Sequence, residues 1–345
     1  MKKIIRPLVI ALFFSGIMQS CSHAQVPEKG DYLIAFYNVE NLFDTINDPD
    51  KRDDDFTPQG RKKWTSKRYN KKIHDIAKVI HALGDDQKAD IVGLAEVENR
   101  AVLEALIQHP LLKEHEFSII HFESPDERGI DVALLYRNAR IKKITAENIF
   151  VRYPWDIDDR TRDILYAKLS INNQPIHVFV NHWSSRGGGR AQSEPKRVEA
   201  ARILRAKIDS LKKTEPAAAI IVMGDMNDEP NNISVKRVLY ANGKQNENTN
   251  SLYNMSWDSF NKGKGSYHYW KTNEWNMLDQ IMVSRSLLNE DNSPLHVSDP
   301  NQGIFKPGWL LYKNEDGSLT PSKTYGRHYY GGYSDHLPVY FYIND

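Results

Sequence analysis

The sequence predicts a layered α/β domain, and three observations carry that prediction. Apolar runs of strand length alternate with stretches of helical periodicity from Asp31 onward. No repeat, Ser/Pro-rich linker or abrupt change in composition divides the chain, so one domain from about residue 30 to 345 is the simplest division. With 345 residues, 40% hydrophobic and 26% charged, the chain can bury a sizeable core and lacks the composition of a collagenous, low-complexity or multi-span membrane protein.

Residues 1–24 read as a processing signal rather than part of the fold. Lys2, Lys3 and Arg6 lead, Leu8 to Phe14 are apolar, and small or polar residues follow from Ser15. The apolar run is too short to span a membrane. Two cuts compete: before Cys21, with lipid attached to its sulfur, or after Ala24. The expected location is therefore periplasmic or secreted, or the outer membrane through that lipid, which would be the chain's sole membrane contact. Removing the leader turns the formal charge from +1 to −2, so no overall basic field advertises nucleic acid. Cys21 is the one cysteine, which excludes an internal disulfide framework or a cysteine-rich zinc cluster. The chemistry must use oxygen and nitrogen ligands.

Strands are expected at Tyr32 to Asn38, Ile91 to Ala95, Asp131 to Tyr136, Pro175 to Asn181, Ala218 to Met223, Leu278 to Ser284 and Pro338 to Ile343. Ile73, Ile76, Ala77, Ile80 and Leu83 recur at helical spacing. Ser193 to Lys213 also reads as a helix, with Ser193 as its cap and Pro195 in the first turn. Two long polar stretches, Asn41 to Trp64 and Asn242 to Lys264, look like surface insertions that shape a substrate opening.

Chemistry stands at the strand ends. The apolar runs finish in Asn38-Val39-Glu40-Asn41, Glu96-Val97-Glu98-Asn99, Asn181-His182-Trp183 and Asp225-Met226-Asn227-Asp228, and Ser334-Asp335-His336 precedes the last run. Charged groups beside buried strands are costly unless paired or metal-bound. If these ends share one rim, Glu40, Glu96, Asp225, Asn227 and Asp335 make an oxygen-rich cavity suited to Mg²⁺ or Mn²⁺. His182 and His336 would stand beside it as acid or base. Glu98 and Asn99 read as loop or capping residues, and Asp228 as a turn cap before Pro230.

In this order over some 300 residues, Asn38-Val39-Glu40, Leu94-Ala95-Glu96-Val97, Asn181-His182, Gly224-Asp225-Met226-Asn227, Leu278-Asp279-Gln280-Ile281 and Ser334-Asp335-His336 resemble the endonuclease/exonuclease/phosphatase family, that of DNase I, abasic-site nucleases, neutral sphingomyelinases and inositol-phosphate phosphatases. The resemblance implies a four-layer α/β sandwich, two mixed sheets face to face with helices outside. It implies Glu96 as principal metal ligand, with Asn38 and Glu40 close by and Asp335 across the site. Asp225 would align or deprotonate the attacking water, Asn227 would hold a phosphate oxygen, and Asp279 would orient His336 against the scissile phosphate. His182 matches an imidazole of the DNase I and sphingomyelinase branches, which implies a diester substrate with a general acid for its leaving group. Met226 and Gln280 depart from the usual residues and put specificity in doubt more than activity.

Four further residues are candidates for substrate contact. Arg128 and Asp131 enter a strand together, and Asp131 either pairs with His182 or caps the strand. Arg186 lies in a Gly-rich loop after His182 whose spacing is no P-loop. Trp270 belongs to an aromatic group near the motif loops, suited to stacking bases or lining a lipid or sugar site. Arg61 to Lys72 is the strongest basic run, either tracking a phosphate backbone or forming the solvated start of a helix. The expected function is an exported Mg²⁺- or Mn²⁺-dependent phosphodiesterase of nuclease type, monomeric, with nucleic acid as partner and no protein partner. The alternatives are a phospholipid-headgroup or inositol-phosphate esterase, and a catalytically silent surface binding protein.

Overall fold

The computed structural model describes residues 26–244, 250–289 and 293–345. The expected leader, with Cys21 and both cleavage positions, lies outside them. In chain order the strands are β1 (Tyr32–Leu42), β2 (Ile91–Val97), β3 (Phe117–His121), β4 (Asp131–Arg137), β5 (Ile141–Ile149), β6 (Ile164–Ile171), β7 (Gln174–His182), β8 (Ala219–Asp225), β9 (Ala241–Asn242) and β10 (Leu252–Asn254). They continue as β11 (Tyr267–Tyr269), β12 (Glu274–Asn276), β13 (Asp279–Ser284), β14 (His296–Val297), β15 (Gly303–Ile304), β16 (Leu311–Lys313), β17 (Leu319–Pro321) and β18 (Val339–Asn344). The helices are α1 (Ser66–Ala82), α2 (Arg100–Ile107), α3 (Pro110–Lys113), α4 (Arg190–Thr214) and α5 (Trp257–Asn261).

Two mixed seven-stranded sheets form, one in the order β14-β18-β1-β2-β4-β3 with β15 also on β18, the other in the order β5-β6-β7-β8-β13-β10-β9. At the centre of each, a parallel pair is joined through a helix: β1 to β2 by α1, and β7 to β8 by α4. These four strands are near-continuous apolar runs because both of their faces are covered. Ile34, Phe36 and Ile91 of one sheet meet Val178, Val180, Ile221 and Met223 of the other in the central core. Gly93 permits the closest approach: a Cβ there would stand 2.5 Å from Met223 Sδ. On the outer faces, Ile73, Ile76 and Ile80 of α1 pack on Leu33, Ala35 and Val92, while Ala201, Leu204 and Ile208 of α4 pack on Phe179, Ile220 and Val222. Each such buried Val, Leu, Ile or Phe side chain contributes about 1.5–3 kcal/mol. The four layers are therefore helix, sheet, sheet, helix.

Two local expectations fail for physical reasons. The last long helix starts at Arg190, not Ser193, because Gly189 at φ 117° supplies the turn into it. Ser193 then lies within the helix, its hydroxyl donating to the Gly189 carbonyl at 2.8 Å, and Pro195 falls in the second turn. The stretch Asn41 to Trp64 is more than a surface insertion. Phe43, Phe56 and Trp64 bury themselves with Ile130 in a separate apolar cluster, Phe43 and Phe56 stack at 4.1 Å, and Trp64 Nε1 donates to the Phe43 carbonyl at 2.9 Å.

Candidate active site

Because β1, β2, β7 and β8 run in parallel pairs, their carboxyl ends reach one edge of the two sheets, the usual place for a site in an open α/β sheet. β13 runs antiparallel to β8 and sets Asp279 opposite Asp225. The turn before β18 delivers Ser334 to His336, tied in place by Ser334 Oγ donating to the Asn38 carbonyl at 2.8 Å and accepting from the His336 amide at 3.1 Å.

The strands do not end smoothly. Glu40, Asn41, Glu96 and Asn227 all adopt left-handed backbone, with φ between 49° and 63°, and the β1–β2 and β2–β4 registers slip at these points. Such non-glycine residues cost about 1–3 kcal/mol each and persist where surrounding structure holds them. Here the holding groups are the site's own: the Asn41 amide donates to Glu96 Oε2 at 3.0 Å, and the Asn227 amide to Asp225 Oδ1 at 2.9 Å.

Asp225 is the hub. Its Oδ2 accepts from Asn38 Nδ2 at 3.1 Å and lies 3.7 Å from His182 Nε2 and 3.8 Å from His336 Nε2. His182 Nε2 is also 3.8 Å from Glu96 Oε1, and Asn38 Nδ2 is 3.5 Å from the same oxygen. His336 Nδ1 pairs with Asp279 Oδ2 at 2.7 Å, and Tyr267 covers the ring at 4.9 Å between centroids. Side-chain atoms of Asp225, Asp279 and His336 all lie within 4.8 Å of one another.

Electrostatics separate the two imidazoles. For His336, burial alone works against the charged form, but the carboxylates of Asp279, Asp225 and Asp335 outweigh it and hold its pKa well above the ordinary value. His182 goes the other way: burial, then the cations Arg162, Arg128 and His336, push it well below. The surroundings thus favour the neutral form of His182, expected as a general acid, and the charged form of His336. Burial raises Asp225 to about 6 against the opposing pull of His336. It also raises Asp335, which stands near Glu96 and Lys72.

Glu40, expected close to the metal, stands near Asp335 and also ties down a loop. Its two oxygens accept from the Thr324 and Tyr325 amides at 2.6 and 2.9 Å, which commits the carboxylate to holding that loop. Burial and then Asp335 raise it to about 7. The buried ammonium of Lys72, which sequence reasoning did not single out, donates to Thr324 Oγ1 and the Tyr333 carbonyl, both at 2.6 Å, and supplies positive charge behind Glu40 and Asp335. Its basic neighbours in the sequence concealed it.

The pairing of Asp131 with His182 does not form. Asp131 instead accepts from the Ser124 amide at 2.8 Å and pairs with His121 Nε2 at 3.1 Å, while His182 Nδ1 has no hydrogen-bond partner. The reason is register: β3 and β4 are adjacent, and His121 stands across from Ala133. Arg128 is half exposed, and its charge reaches His182. Arg186 is anchored by Nε to the Asn227 carbonyl and by Nη1 to Asn276 Oδ1, both at 2.8 Å, with buried Nη2 unpartnered. Asn227 Nδ2 donates to the Trp183 carbonyl at 3.0 Å. Trp270 lies 65% exposed in the turn between β11 and β12, the hairpin whose Tyr267 borders His336. Asn99 caps α2, accepting from the Val102 amide at 3.1 Å. Gln280 is buried and donates to the Asp228 and Met277 carbonyls, so its departure from the usual residue serves the loop after β8.

The chain belongs to the endonuclease/exonuclease/phosphatase family, whose model matches residues 33–345. At the level of sequence, no curated protein matches it. Among solved structures it is similar to a humanised D. rerio TDP2, at 16% identity and a TM-score of 0.56 over 91% of this chain and 99% of that one. A mannosyl-6-phosphatase from Bacteroides thetaiotaomicron superposes at 0.55 with 16% identity over 91% and 99%. The catalytic domain of human Nocturnin with bound sulfate does so at 0.55 with 18% identity over 92% and 96%. At these identities the likeness shows the shared fold.

Proposed function

We propose that this protein is an exported, divalent-metal-dependent phosphodiesterase of nuclease type. The observation that carries the reading is the convergence on Asp225, at the end of β8, of Asn38, His182 and His336 from three other strands or their flanking turns. Glu96, with Asn38 and Asp335 beside it, would hold Mg²⁺ or Mn²⁺. The donor set fits: it is oxygen-rich, and its acids are buried or half-buried with Lys72 and the His336 imidazolium as nearby cations. Bound there, the ion would neutralise phosphoryl oxygens and make phosphorus easier to attack.

The side chains supply the rest. Asp225, an acid with its pKa near neutrality, aligns water and accepts its proton. His336, kept charged by Asp279, offers Nε2–H to a phosphoryl oxygen, and Asn227 is held beside Asp225 by Arg186 and by the Trp183 carbonyl. As the water oxygen bonds to phosphorus and the bond to the leaving group breaks, the N–H of His182 donates a hydrogen bond to the departing oxygen, which picks up its proton from solvent. Support for nucleic acid as substrate comes from D. rerio TDP2, a neighbour of TM-score 0.52 and 17% identity described in complex with single-strand DNA product.

Purified mature protein with Mg²⁺ or Mn²⁺ is expected to hydrolyse bis-nitrophenyl phosphate and to lose all turnover with chelator. It is also expected to release acid-soluble nucleotides from DNA or RNA. Release of phosphocholine from sphingomyelin, or of phosphate from inositol phosphates, would reassign the substrate. No turnover on any of them would leave a binding protein. Export predicts that mass spectrometry of the mature chain finds an N-terminus at lipidated Cys21 or at Gln25, and an intact 39.8 kDa chain kept in the cytoplasm would overturn it.

A further inference from the structure

The basic run before α1, ambiguous in sequence, folds against the loop that Glu40 holds. Lys62, Lys63 and Arg68 from one side and Arg327 from the other line a cleft of about 600 Å³ over the rings of Tyr325 and Tyr329. In a chain with a formal charge of +1, this is a marked concentration of one sign. Arg61 at its edge pairs with Asp55, but Lys62, Lys63, Arg68 and Arg327 have no acidic partner among the described residues.

Aromatic faces hold the cations in place of acids. The Lys62 ammonium lies 4.2 Å from the Tyr325 ring centre and 4.8 Å from that of Phe56, and the Arg68 guanidinium 4.1 Å from that of Tyr329. Arg68 also donates to the Lys62 carbonyl, and Tyr325 Oη donates to the same oxygen at 3.0 Å. Lys62 and Arg68 are thus held in position before any ligand arrives, while Lys63 and Arg327 stand exposed at the rim. Because the rings are capped by cations, the cleft offers charge more than apolar surface, which suits a phosphate and not an acyl chain.

The cleft also connects to the candidate active site. The Tyr325 and Thr324 amides bind Glu40, and Lys62 is close enough to feel both Glu40 and Glu96. We propose that this cleft binds a non-scissile phosphate of a nucleic-acid strand whose neighbouring diester occupies the Asp225 site. The inference rests on the phosphodiesterase reading and deepens it. Phosphate contacts position a strand without reading its sequence, and only a substrate with several phosphates reaches both places.

The test compares wild type with Lys62→Ala/Arg327→Ala and with Lys63→Ala/Arg327→Ala, the latter pair being exposed and safe for folding. Substrates are a fluorescent single-stranded 12-mer and bis-nitrophenyl phosphate, across a salt series. Each variant is expected to raise KM for the 12-mer about tenfold with kcat unchanged. The slope of log KM against log salt should flatten by about 0.7 for each lost phosphate contact, and hydrolysis of bis-nitrophenyl phosphate should not change. An unchanged KM and salt slope would overturn the inference, as would a parallel loss on both substrates. Wild-type protein that hydrolyses neither substrate overturns the phosphodiesterase reading instead. In that event, fluorescence anisotropy with a phosphorothioate 12-mer still decides the cleft: equal affinity of wild type and variants sinks it.

Discussion

Asp279→Asn is expected to lower kcat by about 10²–10⁴-fold while leaving the fold intact, the range that a positioned acid or base contributes. The carboxylate touches His336 Nδ1 at 2.7 Å and is fully buried, so the amide replacement keeps the shape and removes the charge. It should also move the pH profile, and the sign follows from the site. Burial alone depresses the His336 pKa, and Asp279 is the largest of the influences that raise it. Without that charge the imidazolium loses its proton at lower pH. If the charged ring is the active form, the alkaline limb of the kcat/KM profile shifts downward in pH. A rate and profile matching wild type would remove His336 and Asp279 from the chemistry.

Arg197→Ala is expected to cost about 3–5 kcal/mol of stability, the penalty for breaking a buried ion pair and leaving its partner charged in the interior. Arg197 on α4 and Asp228 after β8 approach to 2.8 Å and are 0% and 1% exposed as side chains. Arg197 also donates to Ser193 Oγ at 2.7 Å, and Asp228 accepts from Ser234 Oγ at 2.6 Å. Together they pin the loop that carries Asn227. Urea unfolding measures the loss. Arg197→Met combined with Asp228→Leu should recover most of it, because no lone charge is left. A loss below about 1 kcal/mol in the single variant would show that water reaches the pair.

Much of the frame was readable because each buried strand is a run of apolar residues that stops at a polar cluster. Asn38, Glu96, His182 and Asp225 were marked out as chemistry by standing where such runs end, and His336 by standing just before one, and the coordinates bring them together. What escaped the sequence depends on long-range partners or on edges. β5 alternates weakly and exposes Lys142, Lys143, Ile144 and Thr145, so it carries no buried-strand signature. The partner of Asp131 is set by the pairing of β3 with β4, and that of Asp228 by the packing of α4, neither of which local spacing encodes. Glu40 was legible as an acid near the site but not as the anchor of Thr324 and Tyr325, which lie more than 280 residues away. Trp64 was hidden among charged neighbours although it is wholly buried.

The pairing of β1 with both β2 and β18 has a consequence for biogenesis. Tyr32 stands opposite Ile343 and Phe36 opposite Val339, so the first strand to be made receives its second neighbour only when the last residues have emerged. Until then Ile34 and Phe36 border an open strand edge, and the nascent polypeptide cannot seal its interior. A ribosome-bound chain halted before Val339 would therefore stay susceptible to protease and available to holdase chaperones.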